Sequence, residues 1–151
     1  LIQDIPSEIY ALETVNSILA SDPDNMHRNY RKNLYPGSGI PSYFPHPVKI
    51  QQNGWTGELK HKAPYVLSSH HQAIALPGKD IVPLAWSSDG AIIEAIGHQN
   101  YPGVTGVQFH PELKWIFDDT PEEMFPLEEK NSRQFHYDFW KYVSGLLSPG
   151  K

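Results

Sequence analysis

Two short stretches of the 151-residue sequence combine titratable side chains with positions where a strand would hold them. The first is His110-Pro111-Glu112, directly after the apolar run Val107-Gln108-Phe109. In extended backbone, residues two apart project to the same side, so His110 and Glu112 can cooperate. Pro111 fixes its own φ and biases His110 towards the extended region, which keeps the pair preorganised. A carboxylate bonded to one imidazole nitrogen fixes the tautomer and leaves the other nitrogen as a general base. Those are two members of a hydrolytic triad, and the third, a nucleophile, must come from elsewhere in the fold. The second stretch is Ser68-Ser69-His70-His71-Gln72-Ala73-Ile74, at the end of another strand-like run. Adjacent histidines on extended backbone face opposite ways, so at most one enters a given cleft. On residue types alone, both stretches also fit plain surface loops. A metal site drawing on His110, Glu112 and one of His70 or His71 stays open as well, and it predicts stoichiometric zinc.

The elements that must position these groups follow from periodicity. Between Ser7 and Ala20 the apolar residues Ile9, Leu12, Val15, Ile18 and Leu19 recur at three- and four-residue steps, which predicts a helix with a break. Residues 21–47 are rich in turn formers and read as a long surface excursion, of the kind that serves as a lid or cleft wall. Short strands are expected at Val48 to Gln51, Tyr65 to Ser68, Ile81 to Ser87 and Ala91 to Ile96, the last two forming a hairpin on Ser88-Asp89-Gly90. Pro83 places the first of these hairpin strands at an edge. Val104 to Phe109, apolar on both faces, reads as an interior strand. Glu94 reads as a solvent-facing strand residue, and Trp55, Trp86, Trp115 and Trp140 as core or cleft-wall residues. Thr120-Pro121-Glu122-Glu123 has the spacing of a helix start, Pro126 interrupts it, and from Glu128 to Leu147 a stripe of Phe135, Phe139, Val143 and Leu146, widened by Trp140, predicts the final helix.

Composition narrows the function classes. Lys and Arg number 12 against 17 Asp and Glu, a net charge of −5 with no basic block, which argues against a nucleic-acid surface. The sequence has no cysteine, so disulfides, thiolate metal sites and a cysteine nucleophile within these residues are excluded. No apolar run approaches a membrane span, and a soluble cytoplasmic domain is the default expectation. The sequence opens on Leu1-Ile2 without an initiator Met, as a piece of a longer chain would.

The string Gly106-Val107-Gln108-Phe109-His110-Pro111-Glu112 resembles, residue for residue over seven positions, the C-terminal triad segment of class I glutamine amidotransferase-like proteins. In that family the His and Glu complete a Cys-His-Glu triad, so the resemblance implies catalytic roles for His110 and Glu112. Ser68 to Ala73 is similar to the Asn-Ser-x-His-His-Gln-Ala segment of the gamma-glutamyl hydrolase branch, also called peptidase family C26, which implies substrate contacts from Ser69, His70, His71 and Gln72. Ser87-Ser88-Asp89-Gly90 and Ile93-Glu94-Ala95-Ile96 follow in the order of that branch. Leu1 to Pro6 looks like the segment after its nucleophile helix, and His46 to Ile50 like its next strand. Leu67 departs from the family's Asn, and the stretch between Ile9 and Tyr43 has no counterpart in the resemblance, which covers about two thirds of the chain.

The resemblance implies an α/β fold, a flavodoxin-like three-layer sandwich with an antiparallel hairpin. Residues 1–151 would be its C-terminal portion, with the N-terminal strands and the nucleophile outside. The implied activity is hydrolysis of gamma-glutamyl amides, with a glutaminase subunit delivering ammonia to a synthase, or a non-catalytic binding homologue, as alternatives. The expected partners are a small gamma-glutamyl substrate and the missing part of the same domain. Nucleic acid and membrane are not expected, a homodimer stays open, and no metal or organic cofactor is implied.

Overall fold

The computed structural model describes residues 1–51, 63–117 and 130–148. Trp55, the Thr120 to Glu123 helix start, Pro126 and the first residues of the predicted final helix lie outside them.

The helix expected near the N-terminus forms as two, α1 (Ile5–Tyr10) and α2 (Val15–Leu19). Asp4 caps the first by accepting from the Ser7 N–H, and Ala11, left-handed at φ 54°, ends it. Thr14 and Ser17 then form a reciprocal capping box that starts the second. The excursion that follows contains a 3₁₀ turn over Pro23–Asn25 and a single helical turn, α3 (Arg31–Leu34). It is not wholly a surface feature, because Met26, His27 and Tyr30 are buried. Turn-forming composition identified its irregular backbone but concealed these three inward side chains.

The strands are β1 (Phe44–Ile50), β2 (Tyr65–Ser68), β3 (Ile81–Ser87), β4 (Ile93–His98) and β5 (Thr105–Val107). They form one antiparallel sheet in the order β2-β1-β3-β4-β5. Strand β1 begins before the predicted Val48, because Phe44 to Pro47 pairs with β2 while Val48 to Ile50 pairs with β3. Its two prolines therefore stand where it has one neighbour among the described residues, the edge condition under which a strand tolerates a missing N–H. The change of partner makes β1 a corner, and the sheet curls around it.

Two strand positions differ from expectation. Strand β3 lies at the centre of the sheet, not at an edge. Pro83 is accommodated because it lies beyond the stretch that pairs with β1, Ala85 to Ser87, and because register shifts against β4 follow it. Strand β5, expected inside the sheet, is the last strand in the order among the described residues, with β4 beside it. Its apolar character serves instead to pack and line the groove described below. The β3–β4 hairpin turns as predicted, although Gly90 alone of the pair takes a positive φ, 84°. Asp89 supports the turn by accepting from Ser87 Oγ at 2.5 Å and from the Ala91 N–H at 3.0 Å.

After β5 come a single turn, α4 (Lys114–Phe117), and the long helix α5 (Lys130–Leu147). The predicted stripe of α5 faces the sheet: Phe135 and Phe139 pack with Val48, Val66, Leu84, Ala85, Ala95 and Phe109 in the main core, with Val143 beside them. Burying such side chains is worth about 1.5–3 kcal/mol each, which is what holds α5 in place. On the other side of β4, Ile92 packs against Ile2, Ile5 and Ala73, and the isolated bridge between Ile2 and Ala73 secures that cover. Helix, sheet and N-terminal segment thus form three layers.

Candidate functional site

The chain leaves β5 through Phe109, which is anchored in the main core, and His110 follows at the rim. His110 Nδ1 lies 2.8 Å from Glu112 Oε1, the pairing expected from extended spacing. Three further contacts fix the turn. The His110 N–H donates to the Leu67 carbonyl at 2.8 Å, the Trp140 indole N–H donates to the Pro111 carbonyl at 3.0 Å, and the Tyr43 ring stands edge-on to the imidazole with centroids 5.0 Å apart. The His110 and Glu112 side chains are 37% and 55% exposed, so the pair is held rigidly yet open to a ligand. They border a groove of about 520 Å³ between β5 and α5, whose apolar walls include Val107, Phe139, Trp140 and Val143. With Nδ1 engaged by the carboxylate, Nε2 is left to take or give a proton.

The second predicted stretch divides as its geometry requires. His70 turns inward, with Nδ1 donating to the Gln72 carbonyl at 3.0 Å and Nε2 3.6 Å from Glu94 Oε2. His71 turns outward to Asp4 Oδ1 at 3.2 Å, and Gln72 Nε2 donates to Gln3 Oε1 at 2.9 Å. His71 and Gln72 thus hold the N-terminal segment. Neither histidine joins His110 and Glu112, which removes the metal site composed of those residues.

His70 belongs instead to a buried group that sequence reasoning did not assemble: His27, His46, His70 and Glu94. Glu94 is fully buried, not solvent-facing. Alternation along β4 places it on the side of Ile92, under the N-terminal layer, while Ala95 faces α5. His27 Nδ1 lies 2.9 Å from Glu94 Oε1, and the His27 and His46 rings meet edge to face at 4.6 Å. His46 Nε2 is hydrogen-bonded to Ser68 Oγ at 2.8 Å. Burial pushes His46 down to about 4, so it is neutral at physiological pH. Burial alone would raise Glu94, but His46, His27 and His70 around it outweigh that and hold the carboxyl well below the usual carboxylate range. A charged residue inside the apolar run Ile92 to Ile96 was the available signal, since a carboxylate on a buried strand needs partners. The other three residues come from separate segments and carry no shared spacing.

The peptidase C26 family model matches residues 14–112, about two thirds of the sequence. The chain belongs to the peptidase C26 family. It is thereby a class I glutamine amidotransferase-like protein, and the C26 match ends on Glu112, the carboxylate paired with His110. The match also takes in the 21–47 excursion that the sequence resemblance left out, and it does not reach Leu1 to Pro6. No match is found among curated proteins. Among solved structures, this C26 chain is similar to a Thermoplasma acidophilum protein named for a GMP synthase subunit, with 17% identity and a TM-score of 0.40, over 73% of this chain and 50% of that one. The chain therefore spans about half the length of that structure.

Proposed function

We propose that the full protein hydrolyses a gamma-glutamyl amide bond and that these residues supply its base and orienting acid. The observation that carries this reading is the 2.8 Å pairing of His110 Nδ1 with Glu112 Oε1 beside an apolar-walled groove. A cysteine from outside this sequence attacks the side-chain amide carbonyl. His110 takes the thiol proton and passes it to the leaving amine, and Glu112 holds the imidazole in the tautomer that allows this. Water, deprotonated by His110, then releases glutamate from the acyl-enzyme. This chain has no cysteine, so it does not turn over alone. The outer edge of β5, beside His110, has no strand paired to it among the described residues and suits the docking of strands from the rest of the domain.

The test is glutamate release from gamma-glutamyl amides by the full-length protein and by its His110→Ala variant. A loss of several orders of magnitude with an unchanged melting temperature is expected. Turnover that survives the substitution rejects the assignment. A stand-alone hydrolase acts on such amides without a synthase partner, whereas a glutaminase subunit requires one.

A further inference from the structure

We propose that His27, His46, His70 and Glu94 form a closed four-coordinate site for a divalent transition metal, zinc by its donor chemistry, which pins the 21–47 excursion to the sheet. The four residues come from four places: the excursion, the β2-paired half of β1, the turn after β2, and β4. Their donor atoms all lie within 4.8 Å of one another. Four ligands at zinc bond lengths of ~2.0–2.1 Å stand about 3.3 Å apart, so the widest pair closes by no more than about 1.5 Å on an ion. His70, on a turn and 15% exposed, is the side chain freest to make that movement.

Six buried polar atoms of these residues have no hydrogen-bond partner among the described residues: His27 Nδ1 and Nε2, His46 Nδ1, His70 Nε2, and both carboxylate oxygens of Glu94. Short separations such as 2.9 Å between His27 Nδ1 and Glu94 Oε1 are therefore close approaches without the alignment of a hydrogen bond. Buried groups left so are rare and call for a ligand or water that completes them.

Two of the three imidazoles are, by contrast, fixed through their second nitrogen. His46 Nε2 is bonded to Ser68 Oγ and His70 Nδ1 to the Gln72 carbonyl. One nitrogen tied to a hydroxyl or carbonyl, the other without a hydrogen bond, is the arrangement that orients imidazole ligands in metal sites. Three imidazoles and one carboxylate without sulfur suit zinc among the common divalent metals, and hard oxygen-seeking cations poorly. With four protein donors in a buried setting the ion has a structural role. The site is separate from the His110 and Glu112 pair, so it stands or falls independently of the proposed hydrolysis.

The experiment uses the full-length protein expressed with added zinc and purified without chelator. One zinc per chain is expected by elemental analysis. Replacement by Co²⁺ is expected to give the visible absorption of a tetrahedral nitrogen and oxygen site. Dipicolinate should lower the melting temperature by several degrees, with recovery on adding Zn²⁺ but not Mg²⁺. The variants E94Q and H70Q should each bind zinc at least 10-fold more weakly. If E94Q does not fold, H70Q and the Co²⁺ spectrum of the wild type decide. Substoichiometric zinc with no thermal response to added Zn²⁺ overturns the proposal and leaves a metal-free imidazole cluster. Full zinc content in both variants overturns it too, because the ion then lies elsewhere.

Discussion

The backbone N–H of His110 donates to the carbonyl of Leu67 over 2.8 Å, although β2 and β5 stand at opposite ends of the strand order. The curl introduced by β1 brings the two ends together, so the proposed base is held from both sides of the sheet. Leu67 itself is buried and packs against Ile116. Its carbonyl serves His110 while its side chain fills an apolar space, which is why an apolar residue is accommodated here. The next residue, Ser68, orients His46. One short strand thus supports both the rim pair and the buried cluster.

Replacing Glu112 with Gln keeps the shape of the side chain and removes the charge that stabilises a protonated His110. Turnover by the full-length protein should fall by about 10²–10⁴. Stability should change by less than ~1 kcal/mol, because the pair is solvent-exposed. Steady-state kinetics alongside thermal melting separates the two effects.

Ser68→Ala leaves His46 Nε2 buried without its partner. A loss of about 1–3 kcal/mol is expected, readable as a lower urea midpoint with an unchanged slope.

Trp140→Phe keeps the ring on the groove wall and deletes the indole N–H that holds the Pro111 carbonyl. The stability cost should be near 1 kcal/mol. A several-fold drop in kcat with little change in KM would show that this bond positions the His-Pro-Glu turn; unchanged kcat would limit it to packing.

His136 is buried on α5 against Phe109 and Phe135. Burial pushes it down to about 4, with a weaker opposing effect from the Tyr65 backbone. Its folded pKa lies below the unfolded value of about 6.5, so between these the unfolded chain binds more protons. Its contribution is therefore complete above pH ~6.5 and is lost as the pH falls towards 4, amounting to on the order of 3 kcal/mol. Melting temperatures across that window should fall with acidification, and His136→Phe should flatten the slope.

Much of this fold is written locally. The bounds of β2 and β3 follow directly from their apolar runs, and the stripe of α5 names the residues that pack on the sheet. The pairing of His110 with Glu112 is legible because both partners lie in one tripeptide. Legibility ends where partners are distant. Phe44 to Pro47 reads as a turn until β2 is seen beside it, and Pro83 reads as an edge until the limit of the β1 pairing is known. Glu94 reads as solvent-facing because a strand's alternation does not say which layer covers which face. The cover here is an irregular segment, and it carries His27.

The contact between His110 and Leu67 also has a kinetic meaning. It joins the two ends of the curled sheet, so it can form only once both are in place. The amide hydrogen of His110 should then exchange with solvent through openings that separate the β2 and β5 ends, and its protection would report the cooperativity of the whole sheet from a single site.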